Sequence, residues 1–422
     1  MRIGWIVGGV LFVGGGTMAL AGCGEDKNTG TTEVAADTLA EVAPQDTAVA
    51  PPDTESPKDS ATPETIGPDT TPAADTQIDT QLPDTKPPED TAISETQTEV
   101  DAQVEPVKEV RFIVIGDTGE GNDRQKKVAE QMRIKCEADG CDFALLVGDN
   151  IYNAGVESTM DAQWQDKFEI PYKDLHFPFY AALGNHDNGG FLTQWLGDTF
   201  GGAGAEFERG DYQVAYTQFS QKWKMPGRTY DFVAGPAHFF ALDTNYMVWS
   251  YGNDDAEEAT QWQVDTLPDR IDAATSEWRI AFGHHPYLSN GKHGDAGSYE
   301  GLEENISDLA AGISWLGDLT NVVTGRGVQE SLDAIVCGRV DLYFAGHDHS
   351  RQWLAESDAC PGTTLVVSGA GSKMTELKGD HPVLFQNVDK AGFFWVHLAG
   401  HRLEVEAIDE DGTVEWSHQG TR

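Results

Sequence analysis

An α/β domain over residues 111–422 is predicted by three observations. Short apolar runs end at Gly or Asp, helical patterns lie between several of them, and five turns rich in metal-ligand residue types follow such runs directly. The runs cover 110–115, 143–147, 177–183, 238–242, 279–282, 342–344, 364–367 and 393–398. Most are continuously apolar, as expected of strands buried on both faces. Helical patterns cover 123–136 and 260–274, and the acidic stretch 251–258 reads as a loop. Beyond residue 364 strand-like runs predominate, which predicts a second, antiparallel portion of sheet. About 310 residues are ample for one hydrophobic core.

The sequence before this domain has two parts. Residues 1–23 open with Arg2, continue as an apolar run without a charge from Ile3 to Leu20, and end in Leu20-Ala21-Gly22-Cys23. This ending resembles the lipobox of bacterial lipoproteins. The resemblance implies lipidation of Cys23, removal of everything before it, and export to a bacterial membrane, on the periplasmic face or at the cell surface. A retained membrane-spanning helix is the competing reading, since the run is about long enough to span a bilayer. The Gly content and the small residues before Cys23 favour a cleaved signal.

Residues 24–110 contain no aromatic residue and hold 11 of the 19 Pro of the chain. They carry 21 acidic and 4 basic residues, a net charge of −17, and repeat the dipeptide Asp-Thr eight times. So little apolar surface cannot offset ordering entropy, and a disordered tether is expected. A flexible coil of this length averages about 50 Å end to end, and like charge extends it further.

The 422 residues together hold 28 Lys and Arg against 70 Asp and Glu, a net charge of −42. No basic footprint for nucleic acid is present, so nucleic-acid binding is not expected. The domain contributes −26 of that charge. Its four cysteines, Cys136, Cys141, Cys337 and Cys360, can pair in three ways. In an exported protein the short spacings favour disulfides Cys136–Cys141 and Cys337–Cys360, and neither pair has the two-residue spacing of a zinc knuckle.

The five turns are Gly116-Asp117-Thr118-Gly119, Gly148-Asp149-Asn150-Ile151-Tyr152, Gly184-Asn185-His186-Asp187, Gly283-His284-His285-Pro286 and Gly346-His347-Asp348-His349. Strand carboxyl ends are where open α/β sheets collect ligands, and Gly lets backbones approach closely there. Carboxylate, amide oxygen, imidazole and phenol are the donors that hard and borderline cations select. One such turn is weak evidence, because Gly-Asp is usually only a turn. Five in succession point to a dinuclear metal site.

This series of turns resembles the calcineurin-like metallophosphoesterases, and among them the small, tartrate-resistant type of purple acid phosphatase. The resemblance covers most of residues 110–375. It implies a metallophosphoesterase-type β-sandwich flanked by helices, with the metal site at strand carboxyl ends. It further implies Fe(III) held by Asp117, Asp149, Tyr152 and His349, and Fe(II), Zn(II) or Mn(II) held by Asp149, Asn185, His284 and His347, with Asp149 bridging. His186 and His293 fall where family members keep histidines that contact phosphate and protonate the leaving group. The chain departs from the family at Thr118, where Trp is usual, and at His285, where Tyr is usual. His285 is either an extra substrate contact or a packed side chain.

Tyr152 bears on the ions. A free phenol titrates near pH 10, so a tyrosinate ligand at acidic pH requires a strong Lewis acid, which favours a trivalent ion. The expected reaction is hydrolysis of a phosphomonoester by a metal-bound hydroxide at acidic pH, with His186 or His293 as the acid. Fe(III) with a divalent ion, set against Asp117, Asp149 and Tyr152, leaves about +2 locally. Exposed charges farther than about 8 Å are screened at physiological salt, so an acidic domain can still bind an anion. A phosphodiesterase or nucleotidase with the same ions, and a non-catalytic surface-binding lipoprotein, are the rival readings. The chain is expected to be monomeric.

Overall fold

The computed structural model describes residues 108–189, 204–299 and 320–422. The signal segment 1–23 and tether residues 24–107 lie outside the described residues. Among the described residues no helix is long and apolar enough to cross a membrane.

Fourteen strands are described. The first seven are β1 (Glu109–Ile115), β2 (Phe143–Val147), β3 (Phe179–Ala182), β4 (Trp223–Lys224), β5 (Tyr230–Ala234), β6 (Ala237–Ala241) and β7 (Trp278–Phe282). The others are β8 (Leu342–Ala345), β9 (Arg351–Leu354), β10 (Thr364–Ser368), β11 (Val383–Asn387), β12 (Gly392–Ala399), β13 (Arg402–Asp409) and β14 (Val414–Thr421). They form two seven-stranded mixed sheets, ordered β14-β13-β12-β1-β2-β3-β4 and β11-β9-β10-β8-β7-β6-β5. In the first, β1, β2, β3 and β4 are parallel. In the second, β6, β7, β8 and β10 are parallel. The antiparallel portion expected near the end is the meander β12-β13-β14, and it continues the first sheet because β12 pairs with β1.

The sheets face each other across aromatic side chains. Phe112 lies 5.3 Å from Phe239 and 6.2 Å from Phe344 of the opposite sheet, both edge to face. Strands β2 and β8 are buried along their whole length, which is why they read as unbroken apolar runs. Helix α1 (Asp123–Asp139) covers the first sheet through Val128, Ala129 and Met132. The second sheet is covered by α3 (Thr244–Trp249), α4 (Asp254–Asp272) and α5 (Arg326–Ile335), through Met247, Leu267, Ile271, Val328, Leu332 and Ile335. A further helix, α2 (Phe207–Tyr216), buries Gln213 and Tyr216.

The acidic stretch 251–258 is mostly the first turn of α4. Asn253 caps it, its side chain accepting the Ala256 N–H. Asp254, Asp255 and Glu257 sit in the first turn, where the positive end of the helix dipole stabilises carboxylates. A run of charge that reads as loop is therefore helix start. Strand β9 contains Arg351 and Gln352, both fully buried, and so escapes an apolar-run criterion. The Arg351 guanidinium reaches the carbonyls of Ile408 and Lys390 and the carboxylate of Glu415.

Cys136 and Cys141 are joined with Cα atoms 5.0 Å apart, tying the last turn of α1 to the approach to β2. Cys337 and Cys360 are joined at 4.8 Å, between the end of α5 and the turn before β10.

Candidate metal centre

The loops after β1, β2 and β3 of one sheet meet those after β7 and β8 of the other. Backbone bonds fix the meeting point. Gly116 donates to Ser368 O at 2.7 Å, Asp117 to Gly148 O at 2.9 Å, and the His347 N–H to Asp117 Oδ2 at 2.9 Å. Asp117, Asp149 and His347 have φ of 56°, 51° and 68°, a left-handed conformation that costs non-glycine residues about 1–3 kcal/mol each. Such strain clusters where side-chain direction matters more than local stability. Gly184 is required by space, since a Cβ there would lie 2.2 Å from Asp149 Oδ1.

Two sets of donor atoms result. In the first, Tyr152 Oη donates to Asp117 Oδ1 at 2.9 Å and lies 3.3 Å from His349 Nε2, and the latter is 3.5 Å from Asp117 Oδ1. In the second, His284 Nε2 is 2.9 Å from Asn185 Oδ1 and 3.3 Å from His347 Nδ1, which is itself 3.1 Å from Asn185 Oδ1. Asp149 belongs to both surroundings. Its Oδ1 is 3.4 Å from His284 Nε2, and one donor atom each from Asp117, Asp149 and His284 fall within 4.8 Å of one another.

These spacings fit metal ions. Donors about 2.1 Å from a cation and 90–110° apart are separated by about 3.0–3.4 Å. Tautomer chemistry agrees. His284 Nδ1 faces the carbonyl of Val147 at 2.9 Å, so it donates, and Nε2 of the neutral ring turns a lone pair toward Asn185 Oδ1. Two lone pairs at 2.9 Å repel unless a cation or a proton lies between them.

Charge acts in the same direction. Burial pushes the Asp117 carboxyl up to about 7, against the pull of His284. Burial would depress His284, but Asp149 and Asp117 overcome it and raise the imidazole to about 9. Asp149, despite burial, is held well below the usual carboxylate range by His284 and His186. Burial, then the charges of Asp117 and Asp149, keep the Tyr152 phenol protonated far above its ordinary value. Burial also leaves His347 and His349 neutral, as metal ligands must be.

The remaining residues singled out by sequence surround these donors. The ring of His186 lies 4.4 Å from that of Tyr152, Nδ1 donates to Asn153 O at 2.6 Å, and Nε2 is 4.0 Å from Asp149 Oδ2. The ring of His293 is 4.3 Å from that of His347, and the His293 backbone N–H donates to Asp348 Oδ1 at 2.8 Å. His285 is packed. The Thr244 hydroxyl accepts the N–H groups of His284 and His285 and has its proton left to donate to His285 Nδ1 at 2.8 Å. Thr118 is buried, against Gly371.

Sequence reading missed Lys373, Thr244, Gln213 and the part played by Asp187. The Lys373 ammonium stands 3.3 Å from the centre of the Tyr152 ring and 2.9 Å from Glu120. No local pattern marks Lys373 or Gln213. Asp187 closes one of the five turns, and its place there was the available signal.

A model of the calcineurin-like phosphoesterase family matches residues 110–351, a span that contains all five turns. The chain belongs to the calcineurin-like phosphoesterases. It is therefore a metallophosphoesterase-type hydrolase. Among curated relatives it is 26% identical over 321 residues to purple acid phosphatase 7 of Arabidopsis thaliana, across 72% of this chain and 83% of the relative. It is 26% identical over 297 residues to tartrate-resistant acid phosphatase type 5 of Mus musculus, across 64% and 74%. Among solved structures, GAP50, the anchor in the inner membrane complex of Plasmodium, superposes with a TM-score of 0.52 at 19% identity, over 74% of this chain and 89% of that one. This last likeness concerns the fold. Membership of the purple acid phosphatase group would imply a dinuclear centre, and the two donor sets sharing Asp149 suit one.

Protons and metal ions compete for these donors. In chelator-treated protein Asp117 and His284 hold protons up to about pH 7 and about pH 9, whereas their ordinary values are 3.8 and 6.5. Through these two groups the folded state binds more protons than the unfolded chain, whereas the buried neutral imidazoles of His285, His347 and His349 bind fewer below their ordinary 6.5, so stability falls with rising pH only above about pH 7. The melting temperature of the chelated protein should fall between about pH 7 and pH 9, and less steeply near pH 7 in Asp117→Asn. Added Zn²⁺ should raise it more at the higher pH. A chelated melting temperature that rises over this range contradicts the coupling.

Proposed function

We propose that this chain is an acid phosphatase of the purple type that hydrolyses phosphomonoesters. Asp117, Tyr152 and His349 would hold one ion, Asn185, His284 and His347 the other, and Asp149 would bridge them. The observation that carries this reading is the pair of donor triads at ligand spacing around one shared carboxylate. Ions bound there supply Lewis acidity toward phosphate oxygens and water.

The residues of the chain do the rest. Tyr152 sits against burial and two carboxylates that disfavour its anion. Its ionisation at acidic pH therefore calls for a trivalent ion, Fe(III), with Fe(II), Zn(II) or Mn(II) as its partner. With Nδ1 fixed by Asn153 O, His186 keeps Nε2 on the Asp149 side, beside the donors. Protonated at acidic pH, His186 or His293 delivers a proton to the leaving alkoxide. Thr244 keeps the His285 proton on Nε2 and holds the His284 and His285 backbone.

Leu20-Ala21-Gly22-Cys23 supports export and lipid anchoring at a bacterial membrane, with residues 24–110 as tether and 111–422 as catalytic domain. The donor triads suit a small phosphomonoester as substrate, the acidic composition argues against nucleic acid as a partner, and the chain acts as a monomer.

The purified protein, loaded with iron and zinc, should hydrolyse p-nitrophenyl phosphate at acidic pH, and Asp149→Ala or His347→Ala should lower kcat at least about 10³-fold. Faster turnover of bis-p-nitrophenyl phosphate would instead make it a phosphodiesterase. The ferric protein should be coloured, and Tyr152→Phe should abolish the band. A colourless, fully active enzyme removes the ferric assignment. Cys23→Ser should abolish incorporation of labelled fatty acid, and a wild-type protein that takes up no label refutes the lipid anchor.

A further inference from the structure

Asp149 and Asn185 sit on different loops, after β2 and after β3, yet both must reach one ion at fixed spacing. The His186 N–H donates to Asp149 Oδ1 at 2.9 Å, and a buried carboxylate adds further bonds between and within the loops. Asp187 Oδ1 accepts the N–H of Asn150 at 3.0 Å, the N–H of Ile151 at 3.0 Å and the side-chain amide of Gln213 at 2.7 Å. Its Oδ2 accepts the Gly184 N–H at 2.8 Å and Asn150 Nδ2 at 2.9 Å. Asn150 Nδ2 also donates to Ala182 O at 2.8 Å, at the end of β3. Asp187 and Gln213 have no exposed surface, and Asn150 is 3% exposed.

Gln213 brings a third element to this junction. It lies on α2, outside the five turns, and its backbone carbonyl accepts the indole N–H of Trp223 at 2.8 Å. Its amide is the one group in the cluster supplied by neither loop. Without it Asp187 would remain bonded to the loops but would lose its direct bond to α2. Asp149 and Tyr152 also serve the other ion and sit on the loop that Asp187 holds through Asn150 and Ile151, but that side has further anchors of its own, among them the Gly119 N–H on the Asp149 carbonyl at 3.2 Å. Asp117 Oδ2 accepts the His347 N–H, the Asp117 carbonyl accepts the Ser372 hydroxyl at 2.5 Å, and the Tyr152 N–H donates to Gly119 O at 3.0 Å.

We propose that Asp187 and Gln213 are positioning residues that set the separation of Asp149 from Asn185, and so govern the affinity of the Asn185–His284–His347 site selectively. The inference rests on the two-ion reading above. Metal–ligand distances tolerate only about 0.2 Å, so a small drift of one loop is enough to weaken binding. Partners one step removed from the ligands typically govern metal affinity by about 10- to 100-fold.

The test is equilibrium dialysis of the full chain against Zn²⁺ alone, with metal analysis, for wild type, Gln213→Ala and Gln213→Met. The methionine variant keeps the volume and removes the amide, both the donor to Asp187 and the oxygen 3.4 Å from Asn150 Nδ2, so the comparison survives if alanine impairs folding. Wild type should bind two Zn²⁺. Both variants should keep one at wild-type affinity and bind the other about 10- to 100-fold more weakly, with unchanged far-UV circular dichroism. Two ions at wild-type affinity, even with a lower melting temperature, leave Gln213 a purely structural residue and overturn the inference. Equal weakening of both ions overturns its selectivity. A wild type that binds fewer than two Zn²⁺ overturns the two-ion reading itself.

Discussion

Seven donor residues crowded at the meeting of two sheets set the terms for the rest of the molecule. Within each triad, polar atoms stand 2.9–3.5 Å apart. The Lys373 ammonium and His186 offset only part of the charge of the oxygens turned on one another there. Proton sharing relieves part of the repulsion, as the raised Asp117 and His284 indicate. Cations at the two foci would relieve it without protons and would leave the imidazoles neutral and the phenol free to ionise. The left-handed backbone at Asp117, Asp149 and His347, and the glycine at 184, are the local expression of that demand.

The sandwich answers the demand by symmetry of construction. Each sheet sends parallel strands toward the same end, and each contributes loops that neither could complete alone. Three loops of the first sheet carry the two carboxylates, the phenol and the amide, and two loops of the second carry the imidazoles. Facing aromatic side chains set the distance between the sheets, and the helices pack outside them. Buried polar residues then fix the loops one to another: Asp187 between the β2 and β3 loops, Thr244 under His284 and His285, and Asp348 beneath His293. A site of this kind tolerates the domain's net −26 because its charge is local and buried while the acidic residues are largely at the surface.

How much of this could be read in the sequence followed the range of the interactions. The turns from Asp117 to His349 were legible because glycine, ligand and preceding strand are adjacent in the chain. Strands β2 and β8 were legible because burial on both faces leaves an unbroken apolar run. Strand β9 was not, since the carbonyl and carboxylate partners of Arg351 lie 39 to 64 residues away. The acidic start of α4 was misread because a capping Asn253 and a helix dipole turn a charge run into a helix signal. Gln213 and Lys373 were invisible for the same reason as Arg351. Each meets its partner only after the chain has folded, Gln213 26 residues from Asp187 and Lys373 253 residues from Glu120.

The account stands or falls on two ions in two triads. Anomalous diffraction from crystals of the iron- and zinc-loaded protein, collected on both sides of the iron and zinc absorption edges, examines this directly. The account predicts two peaks on either side of Asp149, iron bonded to Asp117, Tyr152 and His349, and zinc bonded to Asn185, His284 and His347. A single peak, or two peaks with the Tyr152 oxygen bonded to neither, would contradict it.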